Sequence, residues 1–119
     1  MRIIIAGSRT FRNRRLVDET MEKYRAEVTA VCCGGARGAD SLGREWALDN
    51  GIKVLEFPAQ WELYGKAAGP LRNYEMAQAA DFLVAFWDGK SRGTKNMIES
   101  MRRLGKHGEV VIYENNLQV

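Results

Sequence analysis

Short apolar runs of strand length alternate with segments of helical periodicity along the whole chain of 119 residues. Each apolar run ends at or just before a glycine, a proline or a charged residue, which is typical of buried strands in a parallel sheet. This alternation favours an α/β fold with a mostly parallel five-stranded sheet and helices on both faces. The predicted strands are residues 2–6, 28–33, 52–58, 81–87 and 109–114, and the four predicted helices are residues 14–26, 40–49, 70–79 and 94–104.

Right-handed crossovers leave few ways to order five parallel strands, and we favour the Rossmann-like order 3-2-1-4-5. In this order the chain reverses direction between strands 1 and 4. Open α/β sheets bind ligands at such a switch point, beyond the carboxyl ends of the strands. We expect one domain over residues 1–119, because a chain of this length can bury a core and this one contains no linker or repeat.

Composition argues against several classes of protein. No apolar run approaches the ~20 residues of a membrane span, and Met1 leads straight into the first strand and not into a signal peptide, so we predict a cytoplasmic protein without a membrane partner. Cys32 and Cys33 are adjacent and would point to opposite faces of a strand. His107 is the only histidine, and we place it in a turn before the last strand. We therefore expect no disulfide, no metal site and no cofactor.

The net charge of +3 is small for a protein that binds nucleic acid, but the basic residues are unevenly distributed. Many of them lie in the loops that follow the strands or in the first turns of the next helices, where the acidic residues are only Asp40, Glu62 and Asp88. Because the carboxyl ends of parallel strands share one edge, the sequence predicts a positive rim. Its basic residues are Arg9, Arg12, Arg14, Arg15, Arg37, Lys66, Arg72, Lys90, Arg92 and Lys95.

Three of these loops combine glycine with arginine before a helix. Helix N-termini present free N–H groups, and nearby glycines can let an anion approach them. We expect the glycines between Cys33 and Ala39 to clear such a path for a phosphate, although glycine is also common in tight turns of α/β proteins. No loop matches a P-loop or the GxGxxG of NAD-binding domains. The three loops are Gly7-Ser8-Arg9, Gly34-Gly35-Ala36-Arg37-Gly38 and Ser91-Arg92-Gly93-Thr94.

The aromatic residues of the predicted loop 59–69 allow two interpretations. Trp61 and Tyr64 could stack on a base, or they could hold the loop to the body of the protein by being buried. Trp87, at the end of a predicted strand, is a third candidate for stacking. Trp46 and Phe86 are expected in the core.

Four motifs in order along the chain resemble the YspA/cpYpsA-related branch of the SLOG superfamily. This superfamily joins the Smf/DprA DNA-processing proteins with the LOG phosphoribohydrolases. The resemblance covers nearly the whole chain and implies a Rossmann-like fold that binds a nucleotide or a nucleotide-derived small molecule. LOG enzymes dimerise through helices, so a homo-oligomer is a partner to test, although the sequence shows no decisive apolar stripe for it. The motifs are IIAGSRTF, GGARGAD, GPLRNYEMAQAADFLVAFWDGKSRGT and VVIYE.

The same resemblance identifies candidate catalytic residues. LOG enzymes cleave the base from a nucleoside 5′-monophosphate with an arginine and a glutamate. Arg72 matches the arginine, but Met97 stands at the glutamate position and has no acid–base chemistry. Asp88, at the switch point, is the second candidate catalytic residue. Asp40 is an alternative carboxylate, or else the cap of the helix that starts there.

We therefore predict binding of a nucleotide-derived small molecule at the carboxyl edge of the sheet, by a sensor or a sequestering protein. The alternative is an N-glycoside hydrolase of the phosphoribohydrolase type. Binding of single-stranded DNA is less favoured, because the surplus charge is modest and a DNA groove needs several exposed aromatic residues. The expected ligand-binding residues are Gly7, Ser8, Arg9, Gly34, Gly35, Arg37, Gly38, Asp40, Lys66, Arg72, Asn73, Arg92, Gly93 and Thr94.

Overall fold

The computed structural model describes residues 1–113 and contains a five-stranded sheet with the order β3-β2-β1-β4-β5. Every neighbouring pair of strands is parallel, so the predicted fold class and strand order are confirmed. The strands are β1 (Arg2–Gly7), β2 (Ala30–Cys33), β3 (Lys53–Glu56), β4 (Phe82–Trp87) and β5 (His107–Ile112), and the helices are α1 (Arg14–Glu22), α2 (Ala39–Asp49), α3 (Trp61–Tyr64), α4 (Ala68–Ala79) and α5 (Arg92–Arg103).

The central strand β1 is apolar on both faces, because helices cover the sheet from both sides. Its isoleucines at positions 3, 4 and 5 are fully buried. Ile3 and Ile5 belong to a core with Phe11, Trp46 and Phe86, so Trp46 and Phe86 are core residues as predicted. On the other face, Ile4 and Ala6 belong to a second core with Leu83, Met76, Met97 and Met101.

The adjacent cysteines of β2 lie on opposite faces of the sheet, as predicted. Cys33 belongs to the core that contains Trp46, and Cys32 belongs to the core that contains Met76. Both are buried free thiols. Burial raises the pKa of both, that of Cys33 to about 12, so neither is a thiolate nucleophile at neutral pH.

Residues 59–69 were predicted as a loop but are partly helical in the structure. This segment contains the short helix α3 and a 3-10 turn over Gly65–Ala67, so there are five α-helices within residues 1–113 where four were predicted. Helix α4 begins at Ala68 and not at Pro70. Pro70 is accommodated as the third helical residue, because the first N–H groups of a helix have no partner within the helix.

The last strand also begins earlier than predicted. His107 opens β5 and pairs with Phe82, so it does not lie in a turn. The predicted strand extended to Glu114, which lies outside the described residues. The longest helices among residues 1–113 have 12 residues, and in this part of the chain none is long and apolar enough to cross a membrane.

We expect the substitution Gly43→Ala to destabilise the fold, because α2 packs directly on β1 at this glycine. A Cβ atom at position 43 would lie 2.6 Å from the Cβ and Cγ2 atoms of Ile5. Overpacking of this kind lowers the free energy of unfolding by about 1–3 kcal/mol, which exceeds the ~1 kcal/mol that alanine gains over glycine in helix propensity. Urea denaturation measures the change.

The control for this variant is Ser41→Ala, at an exposed position of the same helix, which should leave stability within about 0.5 kcal/mol of the wild type. A Gly43→Ala protein at least as stable as the wild type would contradict the close approach of α2 to β1.

Candidate ligand-binding site

A cavity of about 360 Å³ lies at the carboxyl edge of the sheet, at the switch point between β1 and β4. The loop after β1, the loop after β4, the first turns of α2 and α5 and the second turn of α4 contribute to its walls. We call it the inner cavity. The expected site residues that line it are Gly7, Ser8, Arg9, Asp40, Arg72, Asn73, Asp88, Arg92, Gly93 and Thr94.

A second cavity of about 800 Å³ shares Arg9 and Arg72 with the inner cavity. We call it the outer cavity. The expected residues Gly34, Gly35 and Arg37 line it, so the structure divides the expected site between two adjoining spaces. Lys66 and Gly38 line neither of them.

Ser8 connects the loop after β1 to two other elements. Its backbone N–H donates to the Phe86 carbonyl at 3.1 Å, and its carbonyl accepts a hydrogen bond from the N–H of Ala39 at 3.3 Å. Its hydroxyl oxygen accepts from the backbone N–H of Asp88 at 3.2 Å. Ser8 is only 2% exposed, so it holds the cavity wall together and has little surface to offer a ligand.

Two glycines of the loop after β2 make room for other parts of the chain. Gly38 has a φ of +74°, and a Cβ atom there would lie 2.3 Å from the Ser8 carbonyl oxygen. A Cβ atom at Gly34 would lie 2.6 Å from an Nη atom of Arg72. The space expected for a phosphate is thus occupied at Gly34 and Gly38 by the protein itself. At Gly35 and Gly93 the Cβ positions are open.

Asp40 is buried and the half-buried Arg72 interacts with it electrostatically, although no salt bridge of 4.0 Å or less joins them. The Arg72 guanidinium donates to the Gly34 carbonyl and, at 2.9 Å, to Oδ1 of Asn73. Burial raises the pKa of Asp40 to about 6, against the opposing effects of Arg72, of the N–H groups of Ala36 and Gly34, and of Arg9. Burial also lowers the pKa of Arg72. Both side chains therefore depend on each other for compensation of their charge.

Asp40 is not the cap of α2. The N-cap residue is Gly38, and Asp40 is the second residue of the helix, with its carboxylate turned to the loop after β2. Such an acidic side chain at a helix N-terminus is stabilised by the helix dipole. It also neutralises part of the positive end of α2, which makes this helix a weaker anion site than α5.

Asp88 shapes the loop that leads into α5. Its Oδ1 accepts hydrogen bonds from the backbone N–H groups of Lys90 and Ser91, each at 2.8 Å. Burial opposes ionisation, but these N–H groups and the Ser8 hydroxyl outweigh it and lower the pKa of Asp88. The Trp87 indole N–H closes the same loop by donating to the Ser91 carbonyl at 3.0 Å, so Trp87 supports the loop and lines neither cavity.

The first turn of α5 opens into the inner cavity. The N-cap residue Ser91 makes no capping bond with its side chain, because its hydroxyl pairs with the Thr94 hydroxyl at 3.1 Å. The first turn contains no acidic residue. Its N–H groups and the positive end of its dipole are therefore directed at the cavity, with Arg92 and Gly93 beside them.

The predicted positive rim is smaller than expected, because three of its residues pair with carboxylates of the helices. Arg14 donates to Asp18 and Asp49 at 2.8 Å each, and Arg15 donates to Glu19 at 3.0 Å. Lys95 lies 4.0 Å from Glu99. By contrast, the side chains of Arg12, Arg37 and Arg92 make no hydrogen bond or ion pair within residues 1–113.

Comparisons with known proteins agree with this architecture. The sequence profile of the YAcAr family (YspA, cpYpsA-related SLOG family) matches residues 1–64. The chain belongs to this SLOG family. The chain is also similar to the Gene 61 protein of Mycobacterium phage D29, with 38% identity over 113 residues that cover 87% of this chain and 90% of the phage protein. Membership of the SLOG family makes it a nucleotide-related protein with a Rossmann-like fold.

A solved structure has the same fold. The X-ray structure of DNA processing protein A (DprA) from Streptococcus pneumoniae matches with a TM-score of 0.76 at 18% identity. The match covers 92% of this chain and 49% of the DprA chain, so this SLOG protein spans about half the length of that relative.

Sequence reasoning missed several lining residues of the SLOG protein. Met76 and Met97 form an apolar wall of the inner cavity. Their spacing was a usable signal, because Met76 follows Arg72 by four residues and Met97 follows Gly93 by four, which places each pair on one helix face. Arg12, predicted in the positive rim, and Trp61, a predicted candidate for stacking on a base, line the outer cavity. Trp61 and Tyr64 are 53% and 52% exposed, so burial does not hold their segment to the body.

We expect the stability of the protein to fall as the pH rises through about 6, because of Asp40. Its pKa is about 6 in the folded chain against an ordinary value of 3.8. The folded chain therefore binds this proton more tightly, and the stabilisation is complete below pH ~4 and lost above pH ~6. Urea denaturation between pH 4 and 8 should show a loss of about 1–3 kcal/mol that Asp40→Asn does not show.

The other carboxyls with a shifted pKa, Asp88 and Glu109, are shifted downward, so they affect stability only at lower pH. Parallel stability curves for the wild type and Asp40→Asn across this range would mean that Asp40 is ionised in the folded protein at pH 4–5.

Proposed function

We propose that the protein binds a nucleotide or a nucleotide-derived small molecule in the inner cavity, with a phosphate group at the N-terminus of α5. One observation carries this proposal: the first turn of α5, without a capping side chain or an acidic residue, opens into a cavity at the switch point of the sheet. A helix N-terminus in this setting combines free N–H donors with a positive dipole end, and phosphate matches both.

The side chains around this helix end support an anion. Arg92, in the first turn, is exposed and has no carboxylate partner within residues 1–113. Arg9, from the loop after β1, also lines the inner cavity. An arginine fork matches phosphate oxygens, and two such groups neutralise the charge of a phosphate monoester. The cavity volume of about 360 Å³ is also within the range of small-molecule sites.

The remaining walls suit a ribose. Asp88 is kept ionised by its backbone donors, so its carboxylate is a hydrogen-bond acceptor for a sugar hydroxyl. Met76 and Met97 provide apolar surface for the carbon face of the ring. In this proposal residues 1–119 are one ligand-binding domain, which acts as a sensor or a sequestering protein for its nucleotide.

Hydrolysis of an N-glycosidic bond is the second candidate function. One observation favours it: Asp40 lines the inner cavity with a pKa of about 6, so it can exchange a proton near neutral pH. Against it, Asp40 is only 6% exposed, and Met97 lines the cavity where LOG enzymes carry their glutamate. Binding without hydrolysis is therefore the function that we favour.

A nucleotide panel of AMP, ADP, NAD, ADP-ribose and cyclic relatives separates the two functions. The protein is mixed with the panel, and mass spectrometry quantifies each compound in the ultrafiltrate and again after the protein is denatured. We expect a compound that leaves the filtrate and returns unchanged on denaturation. Free base and ribose phosphate accumulating beyond the amount of protein would instead identify a hydrolase.

The substitution Gly93→Glu tests the position of the phosphate. It places a carboxylate in the first turn of α5, where it competes with the phosphate for the positive helix end. The Cβ position at Gly93 is open, and an acidic residue there stabilises the helix by about 0.3–1 kcal/mol, so the fold should be retained. We expect the bound nucleotide to lose about 10-fold or more in affinity, measured by calorimetry.

The matched control is Gly93→Gln, which has the same size and no charge. We expect it to retain most of the affinity that Gly93→Glu loses. Equal affinities of the Glu and Gln variants would place the phosphate elsewhere. Arg72→Ala is not a clean test, because Arg72 also holds the loop after β2 and compensates Asp40.

A further inference from the structure

The outer cavity is rich in arginine, and within residues 1–113 only Arg9 and Arg72 among these arginines interact with a carboxylate, that of Asp40. It is formed by the loops after β1, β2 and β3 and adjoins the inner cavity at Arg9 and Arg72. Arg12 and Arg37 also line it, so four arginines surround a space of about 800 Å³. No aspartate or glutamate of residues 1–113 lines this cavity.

Several arginines elsewhere on the surface are paired with carboxylates, unlike three of those that line the outer cavity. Arg14, Arg15 and Arg44 each donate to a carboxylate at 3.0 Å or less. The side chains of Arg9, Arg12 and Arg37 make no hydrogen bond or ion pair with any residue in the described part of the chain. Arg9 also repels Arg72, and this repulsion adds to the effect of burial, which is the main cause of the lowered pKa of Arg72. A bound anion would relieve this repulsion.

Trp61 adds an aromatic surface to the lining of the outer cavity. The Trp61 indole lines the outer cavity and is 53% exposed. Its Cη2 atom would lie 3.3 Å from a Cβ atom at Gly69, so the ring rests on the start of α4 while the rest of its surface stays open. An exposed indole beside several guanidinium groups suits a nucleobase that is attached to a phosphate.

We propose that the ligand carries at least two phosphate groups, one in each cavity, and that the outer cavity holds its second phosphate together with a base stacked on Trp61. The ligand class is thus a dinucleotide or a nucleoside diphosphate derivative of the ADP-ribose kind, and not a nucleoside monophosphate. This inference rests on the function proposed for the inner cavity. The two cavities share Arg9 and Arg72, so one extended molecule can occupy both.

A small molecule fits the outer cavity better than a DNA strand. Trp61 is the one aromatic residue among those of residues 1–113 that line it. A strand bound without sequence preference stacks successive bases on several aromatic side chains along a charged groove.

The test compares AMP with ADP-ribose by calorimetry in wild-type and variant proteins. The wild type should bind ADP-ribose about 10-fold or more tightly than AMP, because only ADP-ribose has a second phosphate for the outer arginines. The double variant Arg12→Gln, Arg37→Gln should lose this advantage while its affinity for AMP changes less than about 3-fold. Gly93→Glu should weaken the binding of both compounds.

The matched control is Arg103→Gln, an exposed arginine at the far end of α5 that has no carboxylate partner within residues 1–113 and should leave both affinities unchanged. Arg12 and Arg37 are exposed, so circular dichroism should show an unchanged melting temperature for the double variant.

Four results would overturn the inference. Equal affinities of the wild type for AMP and ADP-ribose would confine the ligand to the inner cavity and leave the proposed function intact. Equal losses of affinity for the two compounds in the double variant would mean that Arg12 and Arg37 do not bind a second phosphate, again without affecting the proposed function. A single-stranded oligonucleotide that displaces ADP-ribose with a steep salt dependence would assign the outer cavity to nucleic acid. A wild type that binds no nucleotide of the panel would contradict the proposed function as well.

Discussion

Three loops at the carboxyl edge of the sheet meet at one buried residue, Ser8. Its backbone groups bond to Phe86 at the end of β4 and to Ala39 at the start of α2, and its hydroxyl bonds to Asp88. The positive φ and the missing side chain of Gly38 allow this close contact. The switch point is therefore closed by hydrogen bonds within the chain, and the inner cavity is a preformed space between fixed loops.

The Arg72–Asp40 pair forms the boundary between the inner and the outer cavity. Arg72 contacts the loop after β2 through Gly34, and it contacts α5 indirectly, because Asn73 bonds both to Arg72 and to Asn96 at 2.9 Å. Arg72 lines both cavities and interacts with the buried Asp40, so the side chain that fixes the loop after β2 is also part of both walls.

The sequence was sufficient for the fold but not for the roles of individual site residues. The alternation of apolar runs with helices indicates the parallel α/β sheet, and the order 3-2-1-4-5 is one of the few that right-handed crossovers allow. Helix α3 has four residues, all exposed, so no apolar periodicity could reveal it. Gly34 and Gly93 look alike in the sequence, yet Arg72 fills the space beside the first and the space beside the second is open. Only tertiary contacts distinguish them. The ion pair of Arg14 could have been predicted from the sequence, because Asp18 lies four residues further along the same helix.

The interactions of the Asp88 and Asp40 carboxylates favour ligand binding over catalysis. Asp88 is engaged by two backbone N–H groups that fix the loop before α5, and its lowered pKa makes it a poor proton donor at neutral pH. Asp40 has a suitable pKa, but its carboxylate holds the loop after β2 and compensates Arg72. Catalysis by Asp40 would therefore disturb the same contacts that shape the site, whereas anion binding at α5 leaves all of them in place.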